Sequence, residues 1–295
     1  MSSYWQGIEK QNLTASVFML MAAVAFAGMN VIIRMTADYC HISLVMAVRS
    51  IVGIVILLPW ALKQRSSAFT SQVWRLHFLR ALFGTLAMAA LFWSLILLPV
   101  AEAVTLTFTL PMFGLIGAVL FLGEQVGIRR WSATLVGFLG VVLIMRPGSA
   151  TLQLAAFVAI FSAICMAGSG LSVKALTQHG EKGTKVVFIF GLLSTPVILI
   201  YAGLNLAWPG WYAVMLMLMV GVLGGLGQTC LANAYQRADA SLVMALDFLR
   251  LPFVIVAGFI ILGEVPALAV LPGMVLIIGS AFYIGQREAR LKGRG

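Results

Sequence analysis

The sequence predicts an all-α membrane protein of ten transmembrane helices, arranged as two inverted five-helix repeats around a central cavity. Three observations predict it: the composition, the number of apolar runs, and a likeness between the two halves of the chain. Apolar residues fill 62% of the 295 positions and charged residues 9%, where soluble domains run near about 45–50% and about 25%. Mean hydropathy is +1.05. So little charge cannot coat a globule in water, which makes the bilayer the outer solvent.

Each crossing needs about 20 mostly apolar residues, because unpaired backbone groups are too costly in hydrocarbon. Such runs occupy residues 13–33, 42–62, 76–97, 100–122 and 131–145, then 152–173, 185–204, 211–233, 240–262 and 266–285. The first, preceded by Glu9 and Lys10, is too long for a signal-peptide core and shows no evident cleavage site, so it reads as a retained helix. The links at 63–71, 123–130, 146–150 and 177–183 hold the turn formers and much of the charge. None is long enough to be a soluble domain. Residues 286–295 form a basic tail.

Lys and Arg set the orientation, since short basic loops resist translocation. With the N-terminus inside, 15 of the 19 basic residues fall on the cytoplasmic side, Arg80 counted among them, and only Arg34 and Arg146 on the other. Both termini are expected in the cytoplasm. The same bias accounts for most of the +10 net charge, so no nucleic-acid partner is needed. Cys40, Cys165 and Cys230 are scattered, with no CxxC or Cys/His cluster, which gives no disulfide framework and no metal site.

The halves resemble one another at an offset near 140 residues. Ala27-Gly28 followed by Arg34 recurs as Ala167-Gly168 followed by Lys174; Leu122-Gly123-Glu124 recurs as Leu262-Gly263-Glu264, with Pro111 and Pro252 upstream. Ala101-Glu102-Ala103 is echoed by Ala238-Asp239-Ala240, with four extra residues before Pro252, about one helical turn. Residues 1–147 form one unit, 148–287 a second, and 288–295 a tail. Because a unit of five spans is odd, the second copy enters the membrane upside down. Inverted repeats enclose a site that opens to either face by symmetry-related rocking, which is a carrier's geometry.

The run Pro99-Val100-Ala101-Glu102-Ala103 through Pro111 to Leu122-Gly123-Glu124, then Gly137, Gly140 and Arg146-Pro147, resembles the half-repeat of the drug/metabolite transporter superfamily, in its ten-helix EamA-type branch. Residues 238–241 through Pro252 to Leu262-Gly263-Glu264-Val265-Pro266 resemble it again. The resemblance covers the whole chain. It implies a ten-helix carrier whose cavity is lined chiefly by helices 1, 3, 4, 6, 8 and 9, and it names no substrate.

Charges inside a span are costly and invite a functional reading. Asp247 and Arg250 lie at i,i+3 on one face of helix 9. Either they neutralise each other and orient the helix, or Asp247 faces the cavity and binds a substrate amine or a proton while Arg250 tunes it. Arg49 lies about 10 Å into helix 2; it attracts a carboxylate into the outer vestibule, or it snorkels to headgroups or caps neighbouring carbonyls, and the resemblance implies a packing or gating role. Asn30, Ser162, Ser169 and Gln228 are polar groups in apolar helices, either interhelical glue or the lining of a wetted cavity. Phe83, Trp93, Phe108 and Phe248 are the aromatic candidates for the cavity wall. Gly224 lies in a glycine-rich stretch of helix 8 with no preceding strand, so a nucleotide loop is excluded and close approach or bending is its role. Pro111 and Pro252 are expected to kink helices 4 and 9. Glu124 and Glu264 meet no second acid or histidine, so capping or bridging suits them.

The expected function is secondary transport by alternating access in a bacterial inner membrane, by export of amino acids including aromatic ones. An uptake carrier of the same fold for S-adenosylmethionine is the alternative. A membrane-embedded enzyme is the rival from another class, disfavoured because His41, His77 and His179 all fall near helix ends. No cofactor or metal is expected, and no ATP-binding motif occurs, so the driving force is a gradient of substrate or protons. The expected partners are a small-molecule substrate and lipid, and the chain is expected as a monomer or weak homodimer.

Overall fold

The described residues form ten α-helices. The computed structural model describes residues 2–110, 112–114, 116, 128–145, 150–238, 243, 246–247, 249–265, 268 and 271–292. The helices are α1 (Ser2–Thr36), α2 (Ile42–Gln64), α3 (Trp74–Leu97), α4 (Val100–Thr107), α5 (Ile128–Met145), α6 (Ala150–Gln178), α7 (Gly183–Gly203), α8 (Gly210–Arg237), α9 (Arg250–Ala257) and α10 (Leu271–Lys292). No strand occurs among the described residues. By length and composition α1, α2, α3, α6, α7 and α8 suffice to cross a bilayer, while the other four carry shorter apolar stretches.

The most extensive contacts join α1 to α8 and α3 to α6. Next come α5 with α10, α2 with α7, the pair α2–α8 and α3–α7, the pair α1–α9 and α4–α6, the pair α7–α8 and α2–α3, and α4 with α9. Exchanging α1 with α6, α2 with α7, α3 with α8, α4 with α9 and α5 with α10 returns this set unchanged. Side chains repeat the relation. A Cβ on Gly28 of α1 would lie 3.4 Å from Leu223 of α8, and one on Gly168 of α6 would lie 3.0 Å from Phe83 of α3; both residues of each pair differ by 140 positions.

The fourth and ninth helices are broken. After α4 the chain turns at Phe108 and Thr109, whose N–H groups donate to Thr105 O (3.0 Å) and Leu106 O (3.2 Å). In the ninth segment the turn falls at Leu249, which donates to Leu246 O at 3.1 Å. Each turn precedes a proline by three positions in sequence, 111 and 252. Proline lacks an N–H and its ring clashes with the carbonyl four residues back, so the helix stops ahead of it. Pro252 therefore occupies the first turn of α9, where a missing N–H leaves nothing unsatisfied; the irregularity expected at this proline lies before it. Pro111 lies outside the described residues. Beyond α9 a π-helical turn, Gly258–Leu262, ends at Gly263 with φ 65°, a left-handed conformation that glycine takes without a Cβ clash.

Opposite ends of the bundle are tied by different groups. Where α1 finishes, Arg34 Nε donates to Glu264 Oε1 at 3.1 Å, and Glu264 Oε2 accepts the N–H of Val100 at 2.8 Å. Arg34 Nη1 also donates to Ile96 O. Glu264 thus caps α4 and bridges three segments at once, the role its sequence context suggested; Glu124 lies outside the described residues. At the end where α3 begins, Glu181 accepts from Ser71 Oγ (2.6 Å) and Lys185 Nζ (2.8 Å). Lys185 donates further to Thr70 O at 2.6 Å. Burial alone would raise the Glu181 carboxyl, but the hydrogen bonds from Lys185 and Ser71 and the charge of Lys185 outweigh it and hold the group below its ordinary value.

Candidate functional site

The two broken helices, with α1, α2, α3, α6, α7 and α8, surround a cavity. Its lining falls toward the end of the bundle where α3 begins: Arg80 and Gly84 of α3, Val187 of α7 and Tyr235 of α8 all belong to it. The Arg34–Glu264–Val100 group lies toward the other end.

Four phenylalanines line the cavity beside methionine and aliphatic side chains, and three of its eight polar side chains are guanidinium groups. Asp247 and Arg250 flank the break in the ninth helix, line the cavity, and pair at 3.0 Å. Ion pairing and a cavity position, which the sequence left as alternatives, are thus one arrangement. The Arg250 guanidinium lies over Phe108 (5.4 Å to the ring centre) and Phe26 (5.8 Å). Phe108 occupies the other break, so the two interrupted helices meet through this stack.

Arg49 is 8% exposed and reaches inward from α2 rather than toward the end of its helix. Its Nη1 donates to the Met88 thioether at 2.7 Å, its guanidinium lies 5.8 Å from the Phe92 ring centre, and its Nε has no partner. Gly224 of α8 makes room for it, since a Cβ there would stand 2.7 Å from Nε. Close approach is what this glycine provides here.

Arg80 is the residue that sequence reasoning counted only among the basic residues of the cytoplasmic side. It is 4% exposed, lines the cavity, lies 4.2 Å from the Phe190 ring centre, and donates through Nη2 to Gln228 Oε1 at 3.0 Å. Gln228 therefore belongs to the lining as a neutral acceptor that orients a cation. Tyr235, Phe26, Phe92 and Phe190 also line the space.

Ser169 lines the cavity; Ser162 instead donates to Ala87 O at 2.9 Å, across α6 and α3. Phe83 packs against Gly168. Asn30 is fully buried in α1, outside the lining, with neither amide atom paired. Trp93 is 36% exposed and meets His41 edge-on at 5.9 Å, near the Arg34 end. Pro252 is exposed. Phe248 lies outside the described residues. Among those residues no group of three His, Cys, Asp or Glu side chains is placed to hold a metal.

Residues 13–146 match the model of the EamA-like transporter family. A riboflavin transporter of Vibrio cholerae is 34% identical over 294 residues, covering 96% of each chain. An S-adenosylmethionine uptake transporter of Rickettsia conorii is 26% identical, covering 97% of each. A solved crystal structure shares the fold with a TM-score of 0.58 at 17% identity, over 97% of this chain and 98% of that one. Neither named relative is an amino-acid exporter, so that expectation gains no support from them. Likeness that runs from end to end at 34% identity makes this chain a member of the EamA-like transporter family, within the drug/metabolite transporter superfamily.

Proposed function

We propose that the chain is a secondary transporter that carries riboflavin, or a flavin close to it, through the central cavity by alternating access. The cavity chemistry carries this reading: an aromatic-walled space in which guanidinium groups offer donors to a flat, carbonyl-bearing ring. A flavin ring system stacks between phenylalanines and accepts from arginine at its two ring carbonyls. S-adenosylmethionine suits the site less well. Its sulfonium and amine are positive, Asp247 is already engaged by Arg250, and Arg49 and Arg80 add two further cations. Two like charges 4 Å apart repel by about 4 kcal/mol at an effective dielectric of 20. The name of the Vibrio cholerae relative supports the same choice.

The mechanism follows from the architecture. Helix contacts that survive exchange of the two halves support an inverted pair of five-span units. Discontinuous helices at mid-depth are where such carriers place their substrates. With the N-terminus cytoplasmic, the Arg34–Glu264 group seals the outer face and the cavity lies toward the cytoplasm. Rocking of one unit against the other exposes it to the opposite side.

Counterflow in proteoliposomes tests the proposal. Vesicles preloaded with riboflavin are expected to accumulate labelled riboflavin transiently and saturably, and vesicles preloaded with phenylalanine or S-adenosylmethionine are expected not to exchange those compounds. Exchange of either of the latter without riboflavin exchange overturns the substrate. Linear, unsaturable flux overturns the carrier.

A further inference from the structure

We infer that Arg49 and Arg80 form an anion subsite within the cavity, so that its preferred cargo is an aromatic ring bearing a phosphate or carboxylate; within the flavin reading, on which this rests, that cargo is the 5′-phosphate ester rather than riboflavin itself. Charge balance carries the inference. Among the described lining residues there are three guanidinium groups and one carboxylate. The carboxylate, Asp247, is bound by Arg250 at 3.0 Å. Arg49 and Arg80 meet only neutral acceptors, a thioether and a carboxamide. Each is more than nine-tenths buried and each has an unpaired Nε. Glu102, the other buried carboxylate of this region, lies on α4 outside the lining.

Two buried cations without a counter-charge are expensive in a low-dielectric interior. A neutral substrate would leave them so, whereas a phosphate monoester carries about −1.5 to −2 at pH 7 and matches the excess. Guanidinium is the suited donor, because its planar fork meets phosphate or carboxylate oxygens in pairs. Both arginines are also held in place before a ligand arrives. Phe190 and Gln228 position Arg80, while Phe92 and Met88 position Arg49. The aromatic faces beside them supply the stacking surface for the ring, so the anion and the ring are recognised a few ångströms apart.

The test is competition against labelled riboflavin counterflow by flavin mononucleotide, by the neutral flavin lumiflavin, and by inorganic phosphate. Flavin mononucleotide is expected to inhibit on the order of tenfold more strongly than lumiflavin, a difference of about 1.4 kcal/mol. In Arg49→Gln and Arg80→Gln the ratio of the two inhibition constants should fall toward one. In Arg80→Lys, which keeps the charge, it should be largely retained. Equal inhibition by both flavins in the wild type overturns the subsite and leaves the riboflavin reading standing. Inhibition by inorganic phosphate as strong as that by the flavin phosphate overturns the aromatic half of the inference. If the wild type shows no riboflavin counterflow, the functional reading fails and binding to the purified protein decides the subsite. There, flavin mononucleotide quenching tryptophan fluorescence at lower concentration than lumiflavin supports it, and no difference overturns it.

Discussion

Arg80 can turn into the cavity because the position one helical turn further on has no side chain. A Cβ at Gly84 would stand 2.0 Å from Arg80 Nη1 and 2.7 Å from the Phe190 ring. Replacing a helical glycine by alanine ordinarily stabilises by roughly 0.5–1 kcal/mol, yet here it displaces a buried cation from its stacking partner. Gly84→Ala is therefore expected to weaken substrate affinity in counterflow by on the order of tenfold. Gly53→Ala, where nothing lies within 4 Å of the added carbon, should change it little. The same glycine is the signal that sequence reasoning passed over. An arginine a few residues inside a helix reads as an interfacial charge that snorkels, and only the absence of a side chain at i+4 marks a turn inward. Arg250 was legible as special because it lies near the middle of its helix, whereas Arg49, about 10 Å into its own, was still open to snorkelling. Asn30 was legible only as polar, since no pattern in one helix tells which neighbour its amide faces.

At the scale of elements, each of the ten apolar runs read from the sequence overlaps a helix among the described residues. The interruptions were legible only as prolines at matched places. Their positions, three residues earlier, depend on which carbonyls find other partners. Thr105, Thr107 and Thr109 return their hydroxyls to Ala101 O, Val104 O and Leu106 O at 2.6–2.7 Å, which serves the backbone around the first break. The link between α6 and α7 makes a separate prediction. Glu181 has a carboxyl held below its ordinary value of 4.5 by Lys185 and Ser71. Its contribution to stability is then complete above that ordinary value and disappears as the pH falls through the lower, folded one. Thermal unfolding of the detergent-solubilised protein should weaken below about pH 4.5, and Glu181→Gln should remove part of that dependence. An unchanged acid limb in the variant would dissociate the acidic loss from this group.

For the whole molecule, the rocking proposed above has to break the Arg34–Glu264 pair at its end. The two side chains are 31% and 22% exposed, so the pair itself contributes no more than about 1 kcal/mol. That still shifts a two-state population by roughly fivefold. Ser94 is fully buried in the last turns of α3, and Glu264→Gln should raise the labelling rate of a single cysteine there, in a cysteine-free background, by a membrane-impermeant maleimide added from the Arg34 side. The rate should rise by about that factor. No change would place the opposing energy elsewhere, in the α1–α8 and α3–α6 contacts.

The broken fourth helix also bears on how the protein is made. Its first regular piece, Val100–Thr107, has 8 residues, about 12 Å of rise, against a hydrocarbon slab of about 30 Å. Released alone into lipid, a segment whose ladder stops partway exposes bare carbonyls to acyl chains. Its most extensive contacts are with α6 and α9, which are synthesised later. A ribosome-arrested chain ending before residue 150 should therefore keep this segment crosslinked to the insertion channel, and release should await translation of the second half.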